Sequence, residues 1–157
     1  ANIRGVDLNL QFPAGWEEAR RIKYAEGFRT PAPRDYVGRA PLSSREASAL
    51  AELTRKSDFD RVLAFHTQGG VIYWQYGAKR PEGSFALGEK LSAASGYPLA
   101  EPARSSSYAG YKDWFIDAFD RPGYTFELGN GVSPLPLSVF PDLYDRIKPA
   151  LVTALAY

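Results

Sequence analysis

The residue types with the clearest chemical potential in this sequence are one histidine, His66, and one glutamate, Glu127. His66 is the only histidine and ends a strand-like apolar run at residues 61–66, just before a Gly-Gly loop. Glu127 lies near the end of a second strand-like run at residues 124–128. In an open α/β sheet, ligand-handling side chains collect where the strands end. An imidazole and a carboxylate brought together there suit a metal-assisted hydrolase. The alternative is a histidine satisfied by hydrogen bonds and a solvated glutamate.

Periodic apolar patterns predict the elements that must position these two side chains. Ser43 and Glu46 have the spacing of a capping box, which predicts a helix with Ser43 as its N-cap. We expect Ala49, Leu50 and Leu53 on the buried face of that helix. The other predicted elements are strands at 6–10 and 71–74 and helices at 16–24, 85–94, 111–119 and 139–157.

This order of elements predicts the α/β fold class. Strands separated by helical segments indicate an open, mostly parallel mixed sheet flanked by helices, an α/β/α arrangement. At 157 residues the chain fits a single domain, and no linker divides it. The strand count is small for a complete sheet of this type, and the chain begins at Ala1 rather than at a methionine. We therefore expect an incomplete sheet and a processed chain or a piece of something longer.

The composition restricts the classes of function. With a net charge of +1 and no basic run interleaved with aromatic residues, the sequence predicts no nucleic-acid partner. No apolar stretch approaches the ~20 residues of a membrane span. The sequence contains no cysteine, which excludes disulfides and thiolate metal sites.

Four ordered stretches of the sequence form motifs with a family-like spacing. They are residues 5–13 (GVDLNLQFP), 64–74 (AFHTQGGVIYW), 107–115 (SYAGYKDWF) and 121–136 (RPGYTFELGNGVSPLP). Together they resemble the zinc carboxypeptidase family, which has the pancreatic-carboxypeptidase fold. The resemblance is closest to its bacterial γ-D-glutamyl-(L)-meso-diaminopimelate peptidases, and it identifies residues 1–157 as the C-terminal portion of such a catalytic domain.

The resemblance implies a Zn²⁺ cofactor and a role for three residues. The family holds zinc with a His-x-x-Glu pair and one distant histidine, which His66 matches. Glu127 matches the glutamate that takes a proton from the zinc-bound water and passes it to the leaving nitrogen. Asn9 matches the asparagine that helps to hold the terminal carboxylate of the substrate.

The sequence departs from the family pattern at the metal site. No His-x-x-Glu exists, because His66 is the only histidine. A lone histidine cannot hold a catalytic zinc ion. We therefore expect the other ligands upstream of Ala1 or on a companion chain, such as the N-terminal part of the same enzyme.

Two further departures concern the substrate. The family's Asn-Arg pair is Asn9-Leu10 here, which fits the cell-wall branch better than ordinary carboxypeptidases. The family tyrosine that covers the substrate falls near Ser105, so that Tyr108 and Tyr111 become the candidates after a small gap. The alternative is that both tyrosines only pack the loop.

Two functions from different classes follow from these residues. The first is a zinc-dependent metallopeptidase that hydrolyses amide bonds of murein-type peptides, such as γ-D-glutamyl-diamino acid bonds. It favours the cell envelope or the exterior over the cytoplasm as the place of action. The second is a non-catalytic peptide- or glycan-binding domain on the same scaffold. Trp74 and Tyr76 are candidates to line its cleft, although core packing is expected for at least one of them.

Overall fold

The computed structural model describes all 157 residues apart from the side chain of Ser105. Its α-helices are α1 (Trp16–Ala25), α2 (Arg45–Lys56), α3 (Ser84–Ser95), α4 (Tyr111–Phe119) and α5 (Phe140–Ala156). The strands are β1 (Val62–His66), β2 (Val71–Tyr73), β3 (Leu99–Ala100) and β4 (Gly123–Glu127). Short 3₁₀ turns occupy Leu8–Leu10, Arg104–Ser106 and Leu137–Val139.

The strands form one open, mixed sheet in the order β1-β4-β2-β3. The β1–β4 and β2–β3 pairs are parallel, whereas β2 runs antiparallel to β4. The predicted α/β class and mostly parallel mixed sheet are therefore confirmed. β4 lies in the interior of the sheet, which agrees with its buried, β-branched and aromatic sequence.

Side chains alternate between the two faces of β4, so each face has its own core. Tyr124 and Phe126 point into the main core cluster, which α3 and α5 cover. Gly123 faces the other way, where a Cβ atom on it would meet Lys112 and Ile116 of α4 at 3.2 and 3.3 Å. By the same alternation, Glu127 lies on the α4 face of the sheet. The helices therefore flank both faces, as the predicted α/β/α arrangement requires.

The predicted strand at residues 6–10 is wrong. Leu8–Leu10 form a 3₁₀ turn because the carboxylate of Asp7 accepts a hydrogen bond from the backbone N–H of Asn9. The backbone N–H of Asp7 donates to the carbonyl of Tyr36 at 2.8 Å. Local Asx capping therefore overrides the alternating apolar pattern.

The predicted capping box is also wrong. Ser44 rather than Ser43 precedes the first turn of α2. The Ser43 hydroxyl contacts Gln11 Oε1 at 3.1 Å, and the Glu46 carboxylate accepts from the Asn2 side chain at 3.3 Å. Both box side chains are thus engaged by distant partners.

The buried face of α2 is rotated from the predicted one. Ala47, Ala51 and Thr54 are buried, whereas Leu50 and Leu53 are exposed. Ala49 is exposed as well. In α5, Ile147, Ala150 and Ala154 are buried, whereas Phe140, Tyr144 and Leu155 are exposed.

The remaining predicted helices and strands are confirmed to within one or two residues, and the two-residue strand β3 was not predicted. Across the part of the chain that the structure describes, no helix is both long and apolar enough to cross a bilayer.

Candidate active site

His66 and Glu127 are direct neighbours across the sheet. Each is the last residue of its strand, and the parallel register of β1 and β4 pairs them. Residues in register on adjacent parallel strands point to the same face, so the imidazole and the carboxylate share the α4 side of the carboxyl edge. Both residues are half-buried. We call them the strand-end pair.

Backbone hydrogen bonds fix the ends of both strands. The N–H of Leu128 donates to the carbonyl of His66 at 2.8 Å, which extends the ladder by one residue. The N–H of Gly70 donates to the carbonyl of Glu127 at 2.7 Å, and that of Gly69 to the carbonyl of Gly129 at 2.9 Å. The Gly-Gly loop is therefore held directly against the end of β4, and a Cβ atom on Gly69 would lie 3.2 Å from the Cβ of Glu127.

The environment of Glu127 favours a proton on its carboxyl. Burial raises the pKa of Glu127, and the neighbouring His66 opposes part of that rise. The pKa of the Tyr73 phenol is raised by burial and then by the charge of Glu127. Val71 and Tyr73 of β2 pair with Glu127 and Thr125, so this phenol belongs to the same face. A raised pKa makes the carboxylate a better proton acceptor.

The strand-end pair offers the types of donor atom that zinc binds, but fewer ligands than a catalytic zinc site needs. An imidazole nitrogen and a carboxylate oxygen are both zinc ligands, and catalytic sites use about three protein ligands. Among the residues described, no cluster of three or more His, Cys, Asp or Glu side chains is arranged to hold a metal ion. The pair alone is therefore too small a donor set for a catalytic zinc site.

Asn9 lies at the start of α4. Its Oδ1 accepts a hydrogen bond from the backbone N–H of Tyr111 at 3.2 Å, and its side chain is otherwise exposed. A Cβ atom placed on Gly110 would lie 2.8 Å from Asp113 Oδ2 and 3.6 Å from Asn9 Oδ1. Asn9 is therefore close to Asp113. Because its Oδ1 accepts from the first turn of α4, its amide N–H₂ group points away from that helix.

The two candidate tyrosines have different surroundings. The Tyr111 ring packs against Phe12 and Trp114, with ring centroids 5.2 and 6.2 Å away, and its hydroxyl is 3.0 Å from Thr54 Oγ1. Tyr108 instead lines an open cleft beside Tyr76. The contacts thus indicate packing for Tyr111, whereas Tyr108 packs on one side against the core cluster of Trp16 and Val37 and lines the cleft on the other. The Ser105 side chain lies outside the described residues.

That cleft has a volume of about 560 Å³, and we call it the polar cleft. Its wall is formed by the segment after β2, the segment after β3 and the start of α4: residues 75–79, 101, 102, 104, 107, 108 and 113. Tyr76 belongs to it, whereas Trp74 is buried in the main core. The expectation that at least one of these two aromatics packs the core is confirmed.

A buried ion pair lies at the base of the polar cleft. Lys112 and Asp113 are both almost fully buried, and Lys112 Nζ contacts Asp113 Oδ1. Lys112 Nζ also donates to the backbone carbonyl of Gln75 at 2.6 Å. Sequence reasoning missed Lys112 and Asp113, because adjacent charges on an amphipathic helix usually indicate a solvated face. The one available signal was that these two residues interrupt the apolar face shared with Ile116.

Comparisons with known proteins agree with this architecture. A sequence profile of the family described as "Zinc carboxypeptidase" matches residues 1–141. The chain is 54% identical over 147 residues to "Gamma-D-glutamyl-L-diamino acid endopeptidase 1" of Lysinibacillus sphaericus, covering 93% of this chain and 35% of that protein. It is 41% identical over 157 residues to "Uncharacterized protein YqgT" of Bacillus subtilis (strain 168), covering 100% and 41%. The chain thus spans between a third and a half of the length of these relatives.

Solved structures show the same fold at low sequence identity. Bovine thrombin-activatable fibrinolysis inhibitor, in complex with tick carboxypeptidase inhibitor, superimposes with a TM-score of 0.72 at 18% identity, over 94% of this chain and 55% of that one. The murein-tripeptide amidase MpaA of Escherichia coli O157 gives a TM-score of 0.64 at 22% identity, over 98% and 60%.

Proposed function

The chain belongs to the zinc carboxypeptidase family, and on that premise we propose that it is the C-terminal portion of a metallopeptidase catalytic domain. The proposed reaction is hydrolysis of amide bonds in bacterial cell-wall peptides, such as γ-D-glutamyl-diamino acid bonds. The observation that carries the proposal is the register of His66 with Glu127 at the carboxyl edge of the sheet. The name of the relative that is 54% identical supports the choice of substrate.

His66 is proposed as one zinc ligand, and the remaining ligands as contributions of a preceding segment or a companion chain. When bound, zinc lowers the pKa of a water molecule and polarises the scissile carbonyl. β1 fixes the backbone of His66 through its ladder with β4, so the position of its Cα at the edge of the sheet is set before a metal binds. This preorganisation is what a ligand contributes beyond its donor atom.

Glu127 is proposed as the general base and acid. Its carboxylate accepts the proton that the attacking water loses and then delivers that proton to the leaving nitrogen, so the group returns to its starting state. The pKa that burial raises brings the two protonation states closer in energy, which helps both transfers. The Tyr73 phenol on the same face keeps its proton, because burial and Glu127 raise its pKa.

Asn9 is proposed to contact a carboxylate of the substrate. Its Oδ1 is occupied by the N–H of Tyr111, which orients the amide so that the N–H₂ group donates outward. Leu10, which follows it, brings no positive charge, so carboxylate binding here is weaker than with an arginine. Tyr108, at the mouth of the polar cleft, is proposed as the substrate-covering tyrosine.

The test is complementation. The chain is combined with the segment that precedes the matching region in the Lysinibacillus sphaericus relative, and zinc content is measured after dialysis along with hydrolysis of a γ-D-glutamyl-diamino acid peptide. We expect zinc and activity in the combination, and weak or no zinc in the chain alone, since catalytic zinc needs about three ligands. His66→Ala in the combination should lose zinc and regain part of its activity in excess zinc.

Tight stoichiometric zinc in the chain alone would contradict this assignment of ligands. Zinc-loaded combination without hydrolysis, but with retained peptide binding, would support a binding domain instead.

A further inference from the structure

A second cleft lies where the N-terminal turn, the segment before α2 and the start of α2 meet. Its volume is about 590 Å³, and we call it the arginine cleft. One arginine from each of these three segments lines it: Arg4, Arg39 and Arg45. Its described wall shares no residue with the polar cleft and includes neither member of the strand-end pair. A ligand bound in the arginine cleft therefore contacts none of the residues assigned to the proposed reaction.

The three arginines of this cleft differ from all the others in the chain. Every other arginine side chain has an ion pair, a hydrogen bond or an aromatic ring as its partner. Among the groups that the structure describes, the guanidinium groups of Arg4, Arg39 and Arg45 have no such partner, and all three residues are exposed. The guanidinium groups that are free to bind a ligand are thus gathered at one place.

A buried glutamine fixes the segment that carries Arg39 against the start of α2. Gln11 is fully buried, and its Oε1 accepts a hydrogen bond from the backbone N–H of Ser44 at 2.8 Å. Its Nε2 donates to the backbone carbonyl of Ala40 at 3.3 Å. Two walls of the cleft are therefore held together by a side chain that solvent does not reach.

An asparagine joins the third wall to the same helix. Asn2 Oδ1 accepts from the backbone N–H of Arg4 at 3.0 Å, and Asn2 Nδ2 donates to the Glu46 carboxylate at 3.3 Å. The N-terminal turn that carries Arg4 is thus connected to the first turn of α2. A wall that is formed before the ligand arrives lowers the entropic cost of binding.

The hydroxyl of Ser44 is a further donor that the chain leaves unused. Ser44 is the N-cap of α2, lines the cleft and is only 7% exposed. Its hydroxyl caps no N–H of the helix and bonds to no other described group, yet its oxygen is not closed off from solvent. An N-cap serine ordinarily accepts from the first turn, so the first N–H groups of α2 also remain without that acceptor. Such N–H groups and the helix dipole favour an anion at this end of the helix.

The charges of the cleft favour an oxyanion with more than one negative charge. Three guanidinium groups face one carboxylate, that of Glu46, whose oxygens already accept from Asn2 at 3.3 and 3.4 Å. Arginine forks match the geometry of phosphate oxygens, and a hydroxyl with backbone N–H groups adds further donors. A carboxylate has only two oxygens and would leave part of this donor set unmatched.

We propose that the arginine cleft binds a phosphate group, either inorganic or as a phosphate ester. The guanidinium groups of Arg4, Arg39 and Arg45 balance its charge, and the Ser44 hydroxyl and the first N–H groups of α2 donate to its oxygens. This inference does not rest on the proposed function, because the cleft needs neither zinc nor the strand-end pair.

The test is a titration of the 157-residue chain with inorganic phosphate, followed by NMR at the arginine Nε–H groups, with chloride added to keep the ionic strength constant. We expect saturable binding of one phosphate, with the largest shifts at the three arginines of the cleft. Glycerol 3-phosphate is titrated in parallel. Tighter binding of the ester assigns the site to a phosphate ester, and equal binding assigns it to the phosphate group alone. If circular dichroism shows that the chain alone is unfolded, the same titration is made on the combination with the upstream segment.

Variants assign the binding to the cleft. Arg39→Gln and Arg45→Gln should each weaken phosphate binding about tenfold or more, as the loss of a hydrogen bond between charged groups predicts. Ser44→Ala removes a neutral donor and should weaken it by about threefold. Arg55→Gln is the matched control, because it removes the same charge from the last turn of α2, about 15 Å along the helix from Arg45. It should change the affinity by about twofold or less, since that distance exceeds the screening length.

The absence of saturable binding, or an equal loss of affinity in Arg45→Gln and Arg55→Gln, would overturn the inference. Loss of phosphate binding when the chain is combined with the upstream segment would also overturn it, because the cleft would then serve a contact within the enzyme. Phosphate binding in a combination that does not hydrolyse peptide leaves the inference standing and counts only against the proposed function.

Discussion

The strand-end pair and the polar cleft both contain polar groups on one side of the sheet, but they differ in burial and in the contacts between those groups. At the strand ends, His66 and Glu127 are half-buried neighbours, and among the residues described they belong to no cluster of three potential metal ligands. In the cleft, Lys112, Asp113 and Gln75 are almost fully buried and connected to one another. The contacts of the cleft pair thus lie within the described chain, whereas the proposed zinc site needs ligands beyond the strand-end pair. Substitutions in the cleft should therefore change the stability of the isolated chain. Substitutions in the strand-end pair should act mainly on the activity of the completed enzyme, by which we mean the chain combined with the upstream segment of its relative.

The largest expected effect on the isolated chain comes from Lys112→Met. The variant removes the cation and leaves the Asp113 carboxylate, in the first turn of α4, buried without a partner. Breaking one side of a buried pair costs about 3–5 kcal/mol in the free energy of unfolding. Urea unfolding followed by circular dichroism measures that loss.

The matched control is Lys79→Met, which breaks an ion pair with Asp117 whose partners are about half exposed. A surface pair of this kind contributes about 0–1 kcal/mol. Equal losses for the two lysine variants would show that the cleft pair is not distinct from a surface pair.

A smaller effect is expected from Tyr111→Phe, which separates packing from substrate contact. The variant keeps the ring against Phe12 and Trp114 and loses only the hydroxyl contact with Thr54. We expect a loss of about 1 kcal/mol in the free energy of unfolding and an unchanged KM in the completed enzyme. A raised KM with unchanged stability would instead assign Tyr111 to the substrate.

The smallest effect is a pH dependence of stability at the strand-end pair. The folded chain holds the pKa of Glu127 above its ordinary value of 4.5, because burial disfavours the carboxylate. Between the ordinary and the raised pKa, the folded state binds more protons than the unfolded state. The contribution of this group to the free energy of unfolding therefore falls as the pH rises through that window.

Glu127→Gln should remove this fall. The difference between the urea midpoint of the variant and that of the parent chain should therefore grow in favour of the variant as the pH rises from below 4.5 to neutral. Glu52→Gln, in an exposed pair with Lys56, serves as the control. A parallel pH profile for the Glu127→Gln and parent chains would show that burial does not perturb the carboxyl.

The sequence predicts the helices and strands that form because of local residue patterns. β1, α3, α4 and β4 follow from continuous apolar runs and helical spacing, with glycines or prolines at their ends. The errors occur where a distant side chain takes over a local group. Gln11 holds Ser43 and Asn2 holds Glu46, so the capping box at α2 is replaced by contacts over more than 30 residues. No local pattern contains those contacts.

The candidate site divides in the same way. The neighbourhood of His66 and Glu127 is predictable, since each ends a strand and parallel strand ends meet at one edge. The base of the polar cleft is not predictable, because Lys112 is defined by a contact with the backbone of Gln75, 37 residues away. Buried polar groups are recognisable only after the fold brings their partners together.

The most direct test of the central claim is Glu127→Gln in the enzyme completed with its upstream segment, with zinc content and hydrolysis of a γ-D-glutamyl-diamino acid peptide measured on the same sample. The amide keeps the size of the side chain and cannot accept the proton, so we predict full zinc content, retained peptide binding and a turnover lower by about 10²–10⁴-fold. Near-normal turnover with full zinc would contradict the assignment of Glu127 as the proton acceptor at the end of β4.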